Sequence, residues 1–142
     1  MPWALVSTPK KLMPTPDPTA HPDPVPKAGP ALTPGRQLFA TAIPITHEAL
    51  DSVAEVAALP TAGYTVLDTL GNTEIGVWEM SVGSATDIEE DEVFVVVSGR
   101  ASIHFAEDDR TIVVGAGDVV RLTAGMHTTW TVTETLRKIY VS

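Results

Sequence analysis

From Tyr64 onward the chain alternates between short apolar runs and turn-forming residues. YTVLD, EIGVWEMS, EVFVVVSG, RASIHF, TIVV, DVVRL, TTWTVT and LRKIYV are rich in β-branched and aromatic residues. They are separated by GN, the acidic SATDIEEDE, AEDDR, GAGD and TAGMH. Brief, regularly spaced runs of this kind predict strands, and the glycine-bearing breaks predict their turns. The result expected over residues 62–142 is a single all-β barrel or sandwich.

The pattern upstream is different. THEALDSVAEVAAL, residues 46–59, predicts a short helix. Thr46 can cap it and Glu48 sits in the first turn, where the helix dipole favours an acid. Leu50, Val53, Ala54 and Ala57 make one apolar face, and Pro60 ends the helix. Ten of the twelve prolines fall in residues 2–34. Proline lacks a backbone donor, so this stretch is excluded from helix and central strand. Two readings stay open for it: a polyproline-like segment, or an extended arm anchored on a neighbouring subunit by Trp3, Leu5 and Val6. The expected organisation is a proline-rich arm (1–44), a packing helix (45–61) and the barrel (62–142).

Charge and composition narrow the partners. The formal charge is −9, and the barrel carries most of it: thirteen acids against five bases in residues 62–142, but five against four in residues 1–61. An acidic surface repels phosphate backbones and anionic lipid, so neither nucleic acid nor membrane is expected as a partner. There is no cysteine, which removes disulfides and thiolate chemistry. No apolar run approaches the ~20 residues of a membrane span. The N-terminus lacks the pattern of a secretory signal, and a cytoplasmic location is expected.

Two segments have a spacing of their own. In the first, Glu92 begins EVFVVVSG, which ends at Gly99 and runs on into RASIHF. The second is GDVVRLTAG, Gly117 to Gly125. Between them lie a hairpin and the short strand TIVV. This arrangement resembles the cupin family: a strand with an inward glutamate, a glycine turn, a hairpin, then a Gly-Asp turn into a second site strand. GVWEM at 76–80, Trp130 in TTWTVTE and the ending LRKIYV further resemble the small ureidoglycine aminohydrolase-like cupins. The resemblance covers Asn72 to Val141. It implies a cupin-type jelly-roll barrel and a small polar metabolite, a ureido or amide compound, as ligand or substrate.

The chain departs from that pattern at the metal site. The resemblance implies two histidines just before Glu92 and a third on the second motif. Their places hold Ala85 and Asp87 (or Thr86 and Ile88 on the shorter spacing) and Thr128, while Thr123 replaces the usual proline. Imidazole gives transition-metal sites their affinity, so no metal cofactor is expected. Should manganese, zinc or iron bind, its ligands would be Glu92, Asp87 and His127. Strand alternation turns His127 away from Thr128, unless a bulge intervenes.

Without a metal, the chemistry rests on Glu92 and Lys138. If Glu92 points inward, so do Phe94 and Val96, while Val93, Val95 and Val97 face outward or toward a partner. A strand apolar on both faces is expected to be covered on both, which implies a homodimer. Burial should raise the Glu92 carboxyl unless a cation pairs with it. The resemblance places Lys138 on the closing strand as that cation. The pair is either a structural closure of the barrel or a general acid/base couple. Trp78, Phe94, Thr128, Trp130 and Tyr140 are the candidate ligand-binding wall. The acids Asp87, Glu89, Glu90 and Asp91 read as a solvated loop, and His104 as a surface residue. Two functions follow: a small-molecule-binding barrel, or an enzyme, either metal-dependent and hydrolase-like or a metal-free isomerase or epimerase.

Overall fold

The computed structural model describes residues 30–50 and 59–142. Its strands are β1 (Glu48–Ala49), β2 (Thr61–Leu70), β3 (Thr73–Met80), β4 (Gly83–Ile88), β5 (Glu92–Phe105), β6 (Arg110–Gly115), β7 (Val119–Leu122) and β8 (His127–Val141). All pairings are antiparallel. The order β1-β2-β3-β8-β5-β6 runs across one sheet, with β4 added to β8 and β7 added to β5.

β5 and β8 form the spine. They pair from Val93↔Val141 at one end to Phe105↔Thr128 at the other. The second edge of β8 takes β4 along its first half (Asp87↔Thr128) and β3 along its second (Trp78↔Lys138). The second edge of β5 takes β7 first (Glu92↔Leu122) and then β6. Each spine strand therefore serves two half-sheets, and the sheet must bend between them. The bend lies at Gly99, where the register shifts on either side of Ser98. Gly99 has φ +90° and lies against the Thr135 backbone, where a Cβ would collide. Only glycine combines that dihedral with that close approach.

Folding over buries one face of each strand from β2 to β8. Met80, Phe94, Ile103, Trp130 and Leu136 fill the interior, and Leu50 enters it from β1. A second, smaller cluster lies on the outside of the sheet. There Ile43, Leu67 and Val77 are covered by Leu32, Leu38 and Ile45. Arg137 holds this N-terminal segment in place: its guanidinium donates to the carbonyls of Ala40 and Ile43 and to Glu79 Oε2. Leu32 N–H bonds the Leu67 carbonyl.

The expected β runs are present, two pairs of them fused: EVFVVVSG with RASIHF as β5, and TTWTVT with LRKIYV as β8. Two expectations are corrected. The start of the expected helix is strand: Glu48–Ala49 pairs with Thr61–Ala62. The His47 ring bonds Thr61 and Glu79, and Leu50 is buried in the core. These contacts override a modest helix propensity. Residues 51–58, the rest of that expected helix, lie outside the described residues, as does most of the proline-rich arm. The second correction concerns SATDIEEDE, read as a loop, whose first part belongs to β4. The lone helical turn among the described residues is a 3-10 turn at Ala40–Ala42.

Candidate functional site

Strand alternation sends Glu92, Phe94 and Val96 of β5 into the barrel, along with Thr128, Trp130, Lys138 and Tyr140 of β8. Pairing sets Lys138 beside Trp78 on one side and Val96 on the other. Lys138 Nζ donates to Glu92 Oε2 at 2.8 Å, and both side chains are fully buried. The same Nζ lies 4.3 Å from the Phe94 ring centroid, 4.7 Å from Trp78 and 4.9 Å from Trp130. Three aromatic rings thus box one ammonium, with a carboxylate on its remaining side. Ring quadrupoles attract a desolvated cation, which offsets part of the cost of burying Lys138.

A second polar group adjoins the first. Thr128 Oγ1 donates to Glu89 Oε1 at 2.6 Å, and Trp130 Nε1 donates to the same oxygen at 2.9 Å. Glu89 was read as part of a solvated loop, but it is 1% exposed. Asp87, opposite Thr128 in the register, is buried too. Glu90 is half-buried and Asp91 exposed, so only the second half of the acidic run reaches solvent. The signal for this lay in spacing: Ala85, Asp87 and Glu89 fall two apart and share the inward face.

Burial pushes the Glu92 carboxyl up to about 7; Lys138 pulls it down, and the charge of Glu89 adds to the rise. Burial likewise raises the Tyr140 phenol, with Glu74, which accepts its hydroxyl at 3.1 Å, adding to the effect. Glu79, outside the barrel, goes the other way. Burial alone would raise it, but hydrogen bonds from Arg137 and His47 outweigh that and hold it low.

Three buried polar atoms here have no hydrogen-bond partner among the described residues: Glu89 Oε2, Glu92 Oε1 and Trp78 Nε1. The turn between β7 and β8 closes the barrel over this polar end. Glu89 N–H bonds the Met126 carbonyl, Gly125 N–H bonds the Glu89 carbonyl, and Ala124 N–H bonds Asp91.

The expected wall residues Trp78, Phe94, Thr128, Trp130 and Tyr140 are all buried around the Glu92–Lys138 pair. His127 is not with them. Its ring is 61% exposed and bonds Glu107 at 3.0 Å. No bulge interrupts its pairing with Ile88, so it faces away from Thr128 as alternation requires. The expected fallback metal set of Glu92, Asp87 and His127 is therefore corrected: its histidine is outside the barrel. The rest of the donor set does not fit a transition metal either. Ala85 and Thr128 stand where imidazoles are needed, and Lys138 occupies one Glu92 oxygen. Among the described residues, no three His, Asp or Glu side chains gather as a metal site requires. His104 is half-exposed, bonded to Asp109.

A small antiparallel barrel, folded on a two-strand spine with its polar side chains turned inward, defines the class of protein. Residues 67–140 match the model of the EutQ-like cupin domain, and the chain belongs to that family. The barrel is a cupin jelly roll. Similar solved structures include a protein of unknown function from Pseudomonas syringae pv. tomato (25% identity, TM-score 0.57), covering 68% of this chain and 43% of that one. A second, of unknown function, comes from Rhizobium leguminosarum bv. viciae (26% identity, TM-score 0.51), covering 56% of this chain and 78% of that one. The EutQ protein of Clostridium difficile is 23% identical with a TM-score of 0.50, covering 58% of this chain. The match spans about three fifths (61%) of that EutQ protein's length, and at this identity the likeness is one of fold. No curated protein matches the chain.

Proposed function

We propose that this chain is a small-molecule-binding cupin that holds its ligand at the Glu89–Glu92–Lys138 end of the barrel, without a histidine-held metal. The observation that carries this reading is the set of buried atoms left unpartnered among the described residues: Glu89 Oε2, Glu92 Oε1 and, on the ring beside Lys138, Trp78 Nε1. Each such atom costs ~1–3 kcal/mol when left bare, and folded proteins seldom leave several in one place. A ligand supplying two donors and one acceptor satisfies all three. Resemblance to ureidoglycine aminohydrolase-like cupins supports an amide or ureido compound, which carries both kinds of group.

The test is thermal melting of the full chain against fractionated small-metabolite pools. A fraction present at about a hundred times its Kd adds about 2.7 kcal/mol to the folded state, enough to raise Tm by several degrees. The gain should vanish in Glu92→Gln. A flat response to every fraction contradicts the reading.

One observation favours a second reading, a metal-free acid/base enzyme. A carboxyl held at about 7, 2.8 Å from an ammonium, is poised to exchange a proton near neutral pH while Lys138 steadies developing negative charge. Turnover of ureido acids or amides by the wild type, lost in Glu92→Gln, distinguishes catalysis from binding alone. We also propose a homodimer through the outer face of β5, β7 and β8. Val95, Val119 and Val141 are exposed there, beside the patch that the N-terminal segment covers.

A further inference from the structure

The polar end of the barrel carries more negative than positive charge. Glu89 and Glu92 face it with Lys138 as their one cationic partner among the described residues, and that ammonium bonds a single oxygen of Glu92. Glu89 is held only by neutral donors, Thr128 and Trp130, both on its Oε1. The two acceptors left bare are therefore both carboxylate oxygens, and the one bare donor is an indole N–H. An anion would meet two carboxylates at this end. A neutral carbonyl compound would find a single free donor.

The walls make the same selection. Trp78, Phe94 and Trp130 hold an ammonium against their rings at 4.3–4.9 Å. Trp130 lies 5.7 Å from Trp78 and 5.5 Å from Phe94, centroid to centroid, so the rings form one continuous surface. Ring faces that solvate one buried cation are favourable to another.

From the bare oxygens of Glu89 and Glu92 and the aromatic box beside them, we infer that the ligand is a small organic cation with at least two N–H donors: a primary ammonium, amidinium or guanidinium group. This rests on the binding reading above and exchanges its neutral amide or ureido ligand for a charged one, which satisfies the two carboxylate oxygens and leaves Trp78 Nε1 to a further acceptor. The cation bonds Glu89 Oε2 and Glu92 Oε1 and lies against the same buried rings. Binding also couples to protons, because the cation needs Glu92 ionised. The titratable and charged groups facing Glu92 are Lys138 and Tyr140 from β8 and Glu89 from the turn before β5, with Asp87 of β4 in the same interior. Across the β7 pairing, Arg121 turns outward to Asp91. Affinity therefore rises with pH up to about 7 and levels off above it.

The experiment is calorimetric titration of the full chain at constant ionic strength with two shape-matched pairs, guanidinium against urea and ethylammonium against acetamide, at pH 6 and pH 8. The expected result is binding by the cations, at least tenfold tighter than their neutral partners and several-fold tighter at pH 8. Glu89→Gln, checked for folding by circular dichroism, should weaken cation binding about tenfold. If the neutral compounds bind and the cations do not, the inference is overturned while the binding reading stands. If neither class binds, the binding reading falls and the inference with it. Cation binding that is equal at the two pH values removes Glu92 from the site and overturns the inference as stated, even should Glu89→Gln fail to fold.

Discussion

Replacing Glu92 by glutamine should change how stability depends on pH more than it changes stability at any one pH. The carboxyl titrates at about 7 in the folded protein, against 4.5 ordinarily. Between those values the folded protein keeps a proton that the unfolded chain releases. The contribution is fully present below pH 4.5 and is lost as pH rises through 7. At about 1.4 kcal/mol per tenfold, the whole window is worth about 3 kcal/mol. Glutamine has no proton to lose, so the variant lacks this slope. The other perturbed groups fall outside the window. Glu79 and Glu107 are held low and act below pH 4.5, while Tyr64 and Tyr140 are raised and act above pH 10. Urea unfolding followed by tryptophan fluorescence, from pH 5 to pH 8, reads the difference between wild type and variant. That difference should move by ~2–3 kcal/mol toward the variant as pH rises. Two parallel curves would refute the burial argument and the assignment of the perturbed carboxyl to Glu92.

Other outcomes follow from the same contacts. Lys138→Met leaves Glu92 buried without its cation and should cost ~3–5 kcal/mol at pH 8, lowering Tm by roughly 10 °C or more. At pH 5, where Glu92 is protonated, the cost should shrink, and an equal loss at both pH values would contradict the pairing. Arg137→Met removes the Glu79 ion pair and two bonds to the carbonyls of Ala40 and Ile43. It should destabilise by ~2–4 kcal/mol and speed hydrogen exchange at the Leu32 amide, which bonds Leu67 across the same contact. Unchanged exchange there would show that the N-terminal segment is held by its apolar contacts alone. Lysines at Val95 and Val119, both exposed on the outer face, should convert a dimer to monomer in sedimentation with a stability change within about 1 kcal/mol. A wild type that sediments as monomer at micromolar concentration contradicts the proposed dimer.

The sequence was most readable where hydrophobic alternation and function coincide. β5 and the first half of β8 alternate cleanly, so the inward set of Glu92, Phe94, Thr128 and Trp130 follows from period two. The same period placed His127 outside. It failed at β4, because the inward residues there include Asp87 and then Glu89, and a hydrophobic pattern treats inward acids as loop. Their partners, Thr128 and Trp130, lie some forty residues away, and only the β4–β8 register brings them together. The helix expected from residue 46 rested on local propensity, which the pairing of Glu48–Ala49 with β2 and the burial of Leu50 overrode. The aromatic box around Lys138 was not legible either. Its three rings come from three strands, and no spacing in the chain encodes their convergence on one nitrogen.

The most direct test of the interior site is the pair of indole N–H resonances of Trp78 and Trp130 in the 15N-labelled full chain. Trp130 Nε1 bonds Glu89, and Trp78 Nε1 has no partner among the described residues, so the two report on different groups of the proposed site. Titration with a stabilising cation should move both, Trp78 through the charge brought beside its ring and Trp130 as Glu89 is shared. Saturable binding that leaves both indoles in place would put the ligand elsewhere and contradict the interior site.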